Sequence, residues 1–138
     1  MGIILDSSIV ISAERRGDTV AQLLRRIAHV AGDQEVALSA VGLMELMHGI
    51  YRADNVQRRT ARELFINELI ADIEVYPFSK DTAVLAGKID GEQQAKGIVI
   101  PFADLLIGAT AILLGYSVVT VNDRDFKRIP GLNVTKMT

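Results

Sequence analysis

The sequence predicts an α/β fold, a three-layer α/β/α sandwich with a mainly parallel central sheet, and three observations predict it. Short strand-like runs recur at Ile3-Ile4-Leu5, Glu35 to Leu38, Glu74-Val75-Tyr76 and Ser117 to Val121. The stretches between them carry apolar residues at spacings of three and four, the helical period. With 138 residues, 49% hydrophobic and 23% charged, the chain has the size and composition of one globular domain, residues 1–138. Strands alternating with helices join through right-handed crossovers into a parallel sheet covered on both faces.

Each element has a local reason. Ile3-Ile4-Leu5 closes on Asp6-Ser7-Ser8, a buried strand entering a helix capped by aspartate or serine. From Asp18, read as an N-cap, Val20, Leu23, Leu24, Ile27 and Val30 mark an amphipathic helix that Gly32 ends. Glu35 to Leu38 is the second strand, and Ser39 caps a helix over about Ala40 to Ala53. Asn55 opens a longer helix carrying Leu64, Phe65, Leu69 and Ile73, and Pro77 stops the strand at Tyr76. Asp81 to Ala95 has helical period and Gly97 closes it. Pro101 suits a first helical turn, where its missing N–H costs nothing, and that helix runs to Gly115. Ser117 to Val121 is a strand, and Asn133-Val134-Thr135 a last edge strand.

Composition excludes several chemistries. With no cysteine there is no disulfide, thiolate zinc site, iron–sulfur cluster or thiol nucleophile. The start Met-Gly-Ile-Ile-Leu-Asp lacks a basic and then apolar leader, so cytoplasm is the expected location. Leu105 to Val121 is too interrupted by polar residues and glycine for a membrane span of about 18 apolar residues. A net charge of −2 means that any nucleic-acid contact is local. Arg15-Arg16, Arg25-Arg26, Arg58-Arg59 with Arg62, and Lys127-Arg128 are patches of the right sign, with solvated helix faces as the plainer reading.

In open parallel sheets ligands bind beyond the carboxyl ends of the strands, and acids collect there in this chain. Asp6 follows the first strand. Glu45 lies within Val41 to Ile50, where nearly every neighbour is apolar or small; the structural alternative is an ion pair with Arg52, seven positions on. Asp104 is the one ionisable group in Phe102 to Leu114, a segment apolar all round and therefore expected to be buried. A buried lone carboxylate costs several kcal/mol or has its pKa raised, more than a helix dipole of about 0.3–1 kcal/mol repays. Asn122-Asp123-Arg124-Asp125 follows the strand ending at Val121. Gathered acids repel one another unless a cation lies among them, and oxygen ligands suit Mg²⁺ or Mn²⁺.

Taken in order, Ile3 to Ser8, Ser39 to Glu45, Ile100 to Ala111 and Val119 to Phe126 resemble the PIN-domain ribonucleases, especially the VapC-type toxins of bacterial toxin–antitoxin pairs. The resemblance covers essentially the whole chain. It implies the α/β/α sandwich, a metal-dependent endoribonuclease, and a homodimer held by a VapB-like antitoxin that places a basic side chain near the acids. Asp6, Glu45 and Asp104 match the family's three principal acidic positions. The fourth falls on Asn122, Asp123 or Asp125, and Asp123 is chosen because a carboxylate binds a divalent cation better than an amide does.

The implied mechanism is metal-assisted phosphodiester hydrolysis of RNA. Asp6, Asp104 and Asp123 are the expected metal ligands, with Glu45 and Asp123 binding a second ion, orienting water or acting as base. Thr120 and Ser8 are expected to hydrogen-bond to the ligands. Leu43, Met44, Met47, Ile50, Phe65 and Leu69 are expected to be core or to line a partner groove. Two other aspartate-based readings fit worse: a haloacid-dehalogenase-like phosphatase wants a second aspartate where Ser8 stands, and a receiver domain wants its acceptor where Tyr76-Pro77 stands. Glu45 and His48 form half of a di-iron motif with no second copy. The non-enzymatic alternative is an inactive module of the same fold that binds RNA or a partner protein.

Overall fold

A computed structural model describes all residues, Met1–Thr138. β1 (Gly2–Leu5) leads into α1 (Ser7–Arg15) and α2 (Val20–Ala31), and β2 (Glu35–Ser39) into α3 (Ala40–Tyr51) and α4 (Val56–Asp72). β3 (Glu74–Tyr76) precedes α5 (Lys80–Ala95) and α6 (Phe102–Leu114), then β4 (Ser117–Thr120), a 3₁₀ turn (Phe126–Arg128) and β5 (Val134–Lys136).

The five strands form one sheet, ordered β3-β2-β1-β4-β5 and parallel throughout. The two-residue side-chain period of β1 divides the interior. Ile3 and Leu5 enter one core with Ile9, Leu23, Ile27 and Leu69, from α1, α2 and α4. Ile4 enters the other with Ile89, Ile107 and Phe126, from α5, α6 and the 3₁₀ turn. Each such aliphatic side chain contributes about 1.5–3 kcal/mol by leaving water, which specifies the register of β1 from both sides. Chain order reverses between β1 and β4, so the crevice beyond their carboxyl ends is the switch point where ligands bind.

Several local expectations shift. The N-cap of α2 is Thr19, in a reciprocal capping box with Gln22, and not Asp18. Asp18 instead accepts from Arg16 and Arg26, at 3.0 and 2.8 Å. Two guanidinium partners outcompete a single backbone donor for one carboxylate. Pro101 is the N-cap of α6, one residue before its expected place. α5 starts at Lys80 under a Ser79 cap, α3 ends two residues early at Tyr51, and β4 and β5 move by one residue at their ends.

The expectation that α6 is buried all round is also corrected, since Phe102 and Leu113 at its ends are exposed. Its middle is sealed: a Cβ on Gly108 would lie 2.5 Å from Ile129 Cδ1. Gly115, at φ +71°, then ends the helix in the left-handed region. No helix is long and apolar enough to cross a membrane.

Candidate active site

Asp6 leaves β1 as the N-cap of α1 in extended conformation, and its side chain does not cap that helix. Its backbone N–H donates to Val119 O at 2.9 Å, holding the end of β1 against β4. The residue is 8% exposed, and its Oδ2 accepts from Ser8 Oγ at 2.6 Å and from Thr120 Oγ1 at 2.8 Å. Thr120 is fully buried, and Ser8 Oγ also accepts from Val121 N at 3.2 Å. The expectation for Ser8 and Thr120 holds in this respect: both bind the same oxygen of Asp6. Oδ1 has no protein donor and is free to meet a ligand.

Glu45 projects from the middle of α3, where Oε1 accepts from Ser7 Oγ at 3.1 Å. It makes no ion pair with Arg52. Burial pushes its carboxyl up, with the charge of Asp6 adding to the effect and the Ser7 bond opposing it. Ser7 was not singled out from the sequence, although its place directly after Asp6 was a signal. Asp104 sits in the first turn of α6. Burial, then the charges of Asp6, Asp125 and Glu45, push its carboxyl up to about 6. The structure thus brings Asp6, Glu45 and Asp104 into one cluster, each within electrostatic reach of the others.

The loop acids have different surroundings. Asp123 Oδ2 is paired with Lys127 Nζ at 2.9 Å, and this bond holds its carboxyl below the usual range. Asp125, two residues on, is the loop acid whose charge acts on Asp104. It keeps only long ion pairs, to Arg124 at 3.8 Å and Arg128 at 3.9 Å. Asn122 is exposed, its backbone N–H and C=O engaged with Thr120 Oγ1 and its side-chain oxygen accepting from Arg124 N at 3.4 Å. The geometry favours Asp125 over the expected Asp123.

Convergence is looser than the sequence reading requires. No three Asp, Glu or His side chains close tightly enough to enclose an ion. The donor set nonetheless fits Mg²⁺-like chemistry, because such ions keep several waters and use one or two carboxylates plus substrate phosphate. An open cluster with one uncommitted Asp6 oxygen and a repelled Asp104 is of that kind.

A groove of about 700 Å³ adjoins Ser7 and Glu45, between α1, α3 and α4. Phe65 and Ile66 form part of its floor, Met44 and His48 its rim, and Ile50 and Leu69 are core.

The PIN domain family matches residues 3–132. Ribonuclease VapC1 of Rickettsia felis is 34% identical over 134 residues, 97% of this chain and 95% of its own. Ribonuclease VapC of Rickettsia bellii is 34% identical over 136 residues, with 97% and 95% covered. The crystal structure of VapBC2 from Rickettsia felis bound to a DNA fragment from their promoter superposes with a TM-score of 0.84 at 25% identity, covering 100% of both chains. On fold, site and sequence together, the chain belongs to the PIN-domain family, among its VapC ribonucleases.

Proposed function

We propose that this protein is a Mg²⁺- or Mn²⁺-dependent endoribonuclease that acts in the cytoplasm as the toxin of a toxin–antitoxin pair. Divalent-metal dependence is general among PIN-domain VapC nucleases. The observation that carries the reading is the gathering of Asp6, Glu45 and Asp104, from three separate elements, with one Asp6 oxygen fixed by Ser8 and Thr120 and Glu45 held by Ser7; the carboxyl of Asp104 is raised there by burial and by the other acids. A bound divalent ion supplies a nucleophilic water at neutral pH and offsets charge building on the phosphate oxygens.

Asp6 and Asp104 are the residues that would hold that ion. Ser8 and Thr120 fix one oxygen of Asp6, so the other is presented without rotamer search. Glu45, itself raised by burial, accepts a proton from water while Ser7 orients it. Asp125 completes the negative field at the loop. Arg124, exposed beside Asp125, offers a cation to the RNA backbone. The partner is a VapB-like antitoxin, by likeness to the relatives and to the VapBC2 complex.

The test is cleavage of RNA with Mg²⁺ or Mn²⁺, with and without EDTA, by wild type, Asp6→Asn and Asp104→Asn. Metal-dependent cleavage confined to wild type is expected. Intact RNA throughout, with metal-independent RNA binding, would establish the inactive module instead.

A further inference from the structure

α5 turns one seam inward, at Thr82, Ala86, Ile89 and Gln93. Ala86 and Ile89 belong to the core shared with α6, and the period puts Gln93 in line with them, where an aliphatic residue would pack as well. Gln93 is 5% exposed. A buried amide is costly unless its hydrogen bonds are made. The bond that answers this cost leaves the helix altogether: Gln93 Nε2 donates to Arg128 O, 35 residues on, at 3.1 Å. The carbonyl of Gln93 meanwhile accepts from Lys96 N and Ile98 N, both at 2.9 Å, which ties down the connection from α5 to α6.

Arg128 passes the constraint on. Its Nη1 donates to Val99 O at 3.2 Å and lies 3.9 Å from Asp125 Oδ1, and its backbone N–H donates to Asp125 O at 3.2 Å. The bonds close a circuit, from Gln93 to Arg128, from Arg128 to Val99, and from Ile98 back to Gln93. Asp125 hangs from this circuit by backbone and side chain. Asp104, whose carboxyl feels the charge of Asp125, follows Val99 by five residues. Apolar packing does not supply the same constraint. Phe126 and Ile129, 1% and 2% exposed, already anchor the turn, but such contact is non-directional and lets the turn pivot, whereas a hydrogen bond to a carbonyl fixes direction.

We infer that Gln93 is a positioning residue of the metal site: by holding the Arg128 carbonyl it sets the loop that carries Asp125 against the start of α6, keeping Asp125 within reach of Asp104. The inference rests on the metal-dependent nuclease reading and adds to it a residue that acts only through Arg128 and Asp125.

The test is a double-variant cycle. Gln93→Met, unbranched and apolar, removes the donor and keeps the seam filled. Mn²⁺ is titrated by electron paramagnetic resonance near pH 8 against wild type, Gln93→Met, Asp125→Asn and the double variant, with circular dichroism and urea unfolding checking the fold. Gln93→Met is expected to bind Mn²⁺ about fivefold more weakly than wild type and to lower kcat on RNA by a similar factor with KM unchanged. In the Asp125→Asn background the same substitution is expected to change Mn²⁺ binding by less than about 1.5-fold, because the carboxylate it positions is gone. An equal loss in both backgrounds is what a purely structural role produces, and it would overturn the inference, as would wild-type affinity in Gln93→Met. If Gln93→Met unfolds, Arg128→Lys at an exposed position carries the test. One atom shorter, it keeps the charge beside Asp125 and gives up Val99 O, so Mn²⁺ binding is expected to weaken about twofold in wild type and not in Asp125→Asn. Equal effects in both backgrounds, or none, would again overturn the inference. RNA cleavage is scored separately: a wild type that binds Mn²⁺ but cuts no RNA contradicts the nuclease reading, and the Mn²⁺ cycle still decides the role of Gln93.

Discussion

Glu35, at the amino-terminal end of β2, accepts from the hydroxyls of Tyr76 and Tyr116 at 2.6 and 2.7 Å, and these two donors, Tyr76 foremost, hold its carboxyl below the usual range. The tyrosine rings meet edge to face at 5.9 Å, bracing the carboxylate between them. Asp104, beyond the carboxyl ends of the strands, is pushed up to about 6 by burial and by three other acids. One carboxylate is satisfied by neutral donors and has no further use for a cation. The other is half out of water among like charges, a repulsion that a divalent ion would relieve. Within one sheet, the surroundings rather than the residue type separate a structural acid from a reactive one.

The largest consequence concerns activity. Asp6→Asn or Asp104→Asn is expected to lower kcat/KM on RNA by about a thousandfold, whereas Glu35→Gln leaves it unchanged in a discontinuous cleavage assay. Loss of cleavage in Glu35→Gln with the fold intact would erase the contrast. Next come the loop acids: Asp125→Asn is expected to cost about tenfold or more and Asp123→Asn less than about threefold, measured on the same RNA. The reverse order would return the fourth position to Asp123.

Smaller effects appear in stability. Thr120→Val removes a buried donor from Asp6 and is expected to cost about 1–2 kcal/mol in urea unfolding. Asp104 acts with the opposite sign. Its folded value, about 6, exceeds its ordinary 3.8, so the native state binds its proton more tightly. Its contribution is therefore most favourable below the ordinary value, declines as pH rises toward 6, and stays low above that. Asp104→Asn is expected to stabilise the metal-free protein by about 1 kcal/mol near pH 8, solvent screening allowed for, with the gain vanishing near pH 3. A gain independent of pH would show that the carboxylate is not strained.

What was legible from the chain differs between these regions for physical reasons. Glu45 and Asp104 stood out because each interrupts an apolar run, where a charge needs a partner wherever the run packs, and Asp6 because it follows the first strand. Asp125 did not, since in the polar stretch 122–125 no periodicity says which side chain faces the other acids; Lys127, one helical turn beyond Asp123, pairs with that acid and leaves Asp125 with longer ion pairs. Asp18 was misread as a cap because capping competes with tertiary ion pairs, and Arg26 comes from a full two turns away. The Glu35 clasp joins residues 41 and 81 positions apart, visible only once β2, β3 and β4 are aligned. The parallel sheet was readable because strand and helix periods alternate along the entire sequence.

Mn²⁺ binding, titrated by electron paramagnetic resonance near pH 8, tests the central claim most directly, since it reports on the carboxylate cluster without reference to RNA or antitoxin. Wild type and Glu35→Gln are expected to bind the ion alike, while Asp104→Asn binds it about tenfold or more weakly. Equal binding by all three proteins, or none by wild type, would contradict the account.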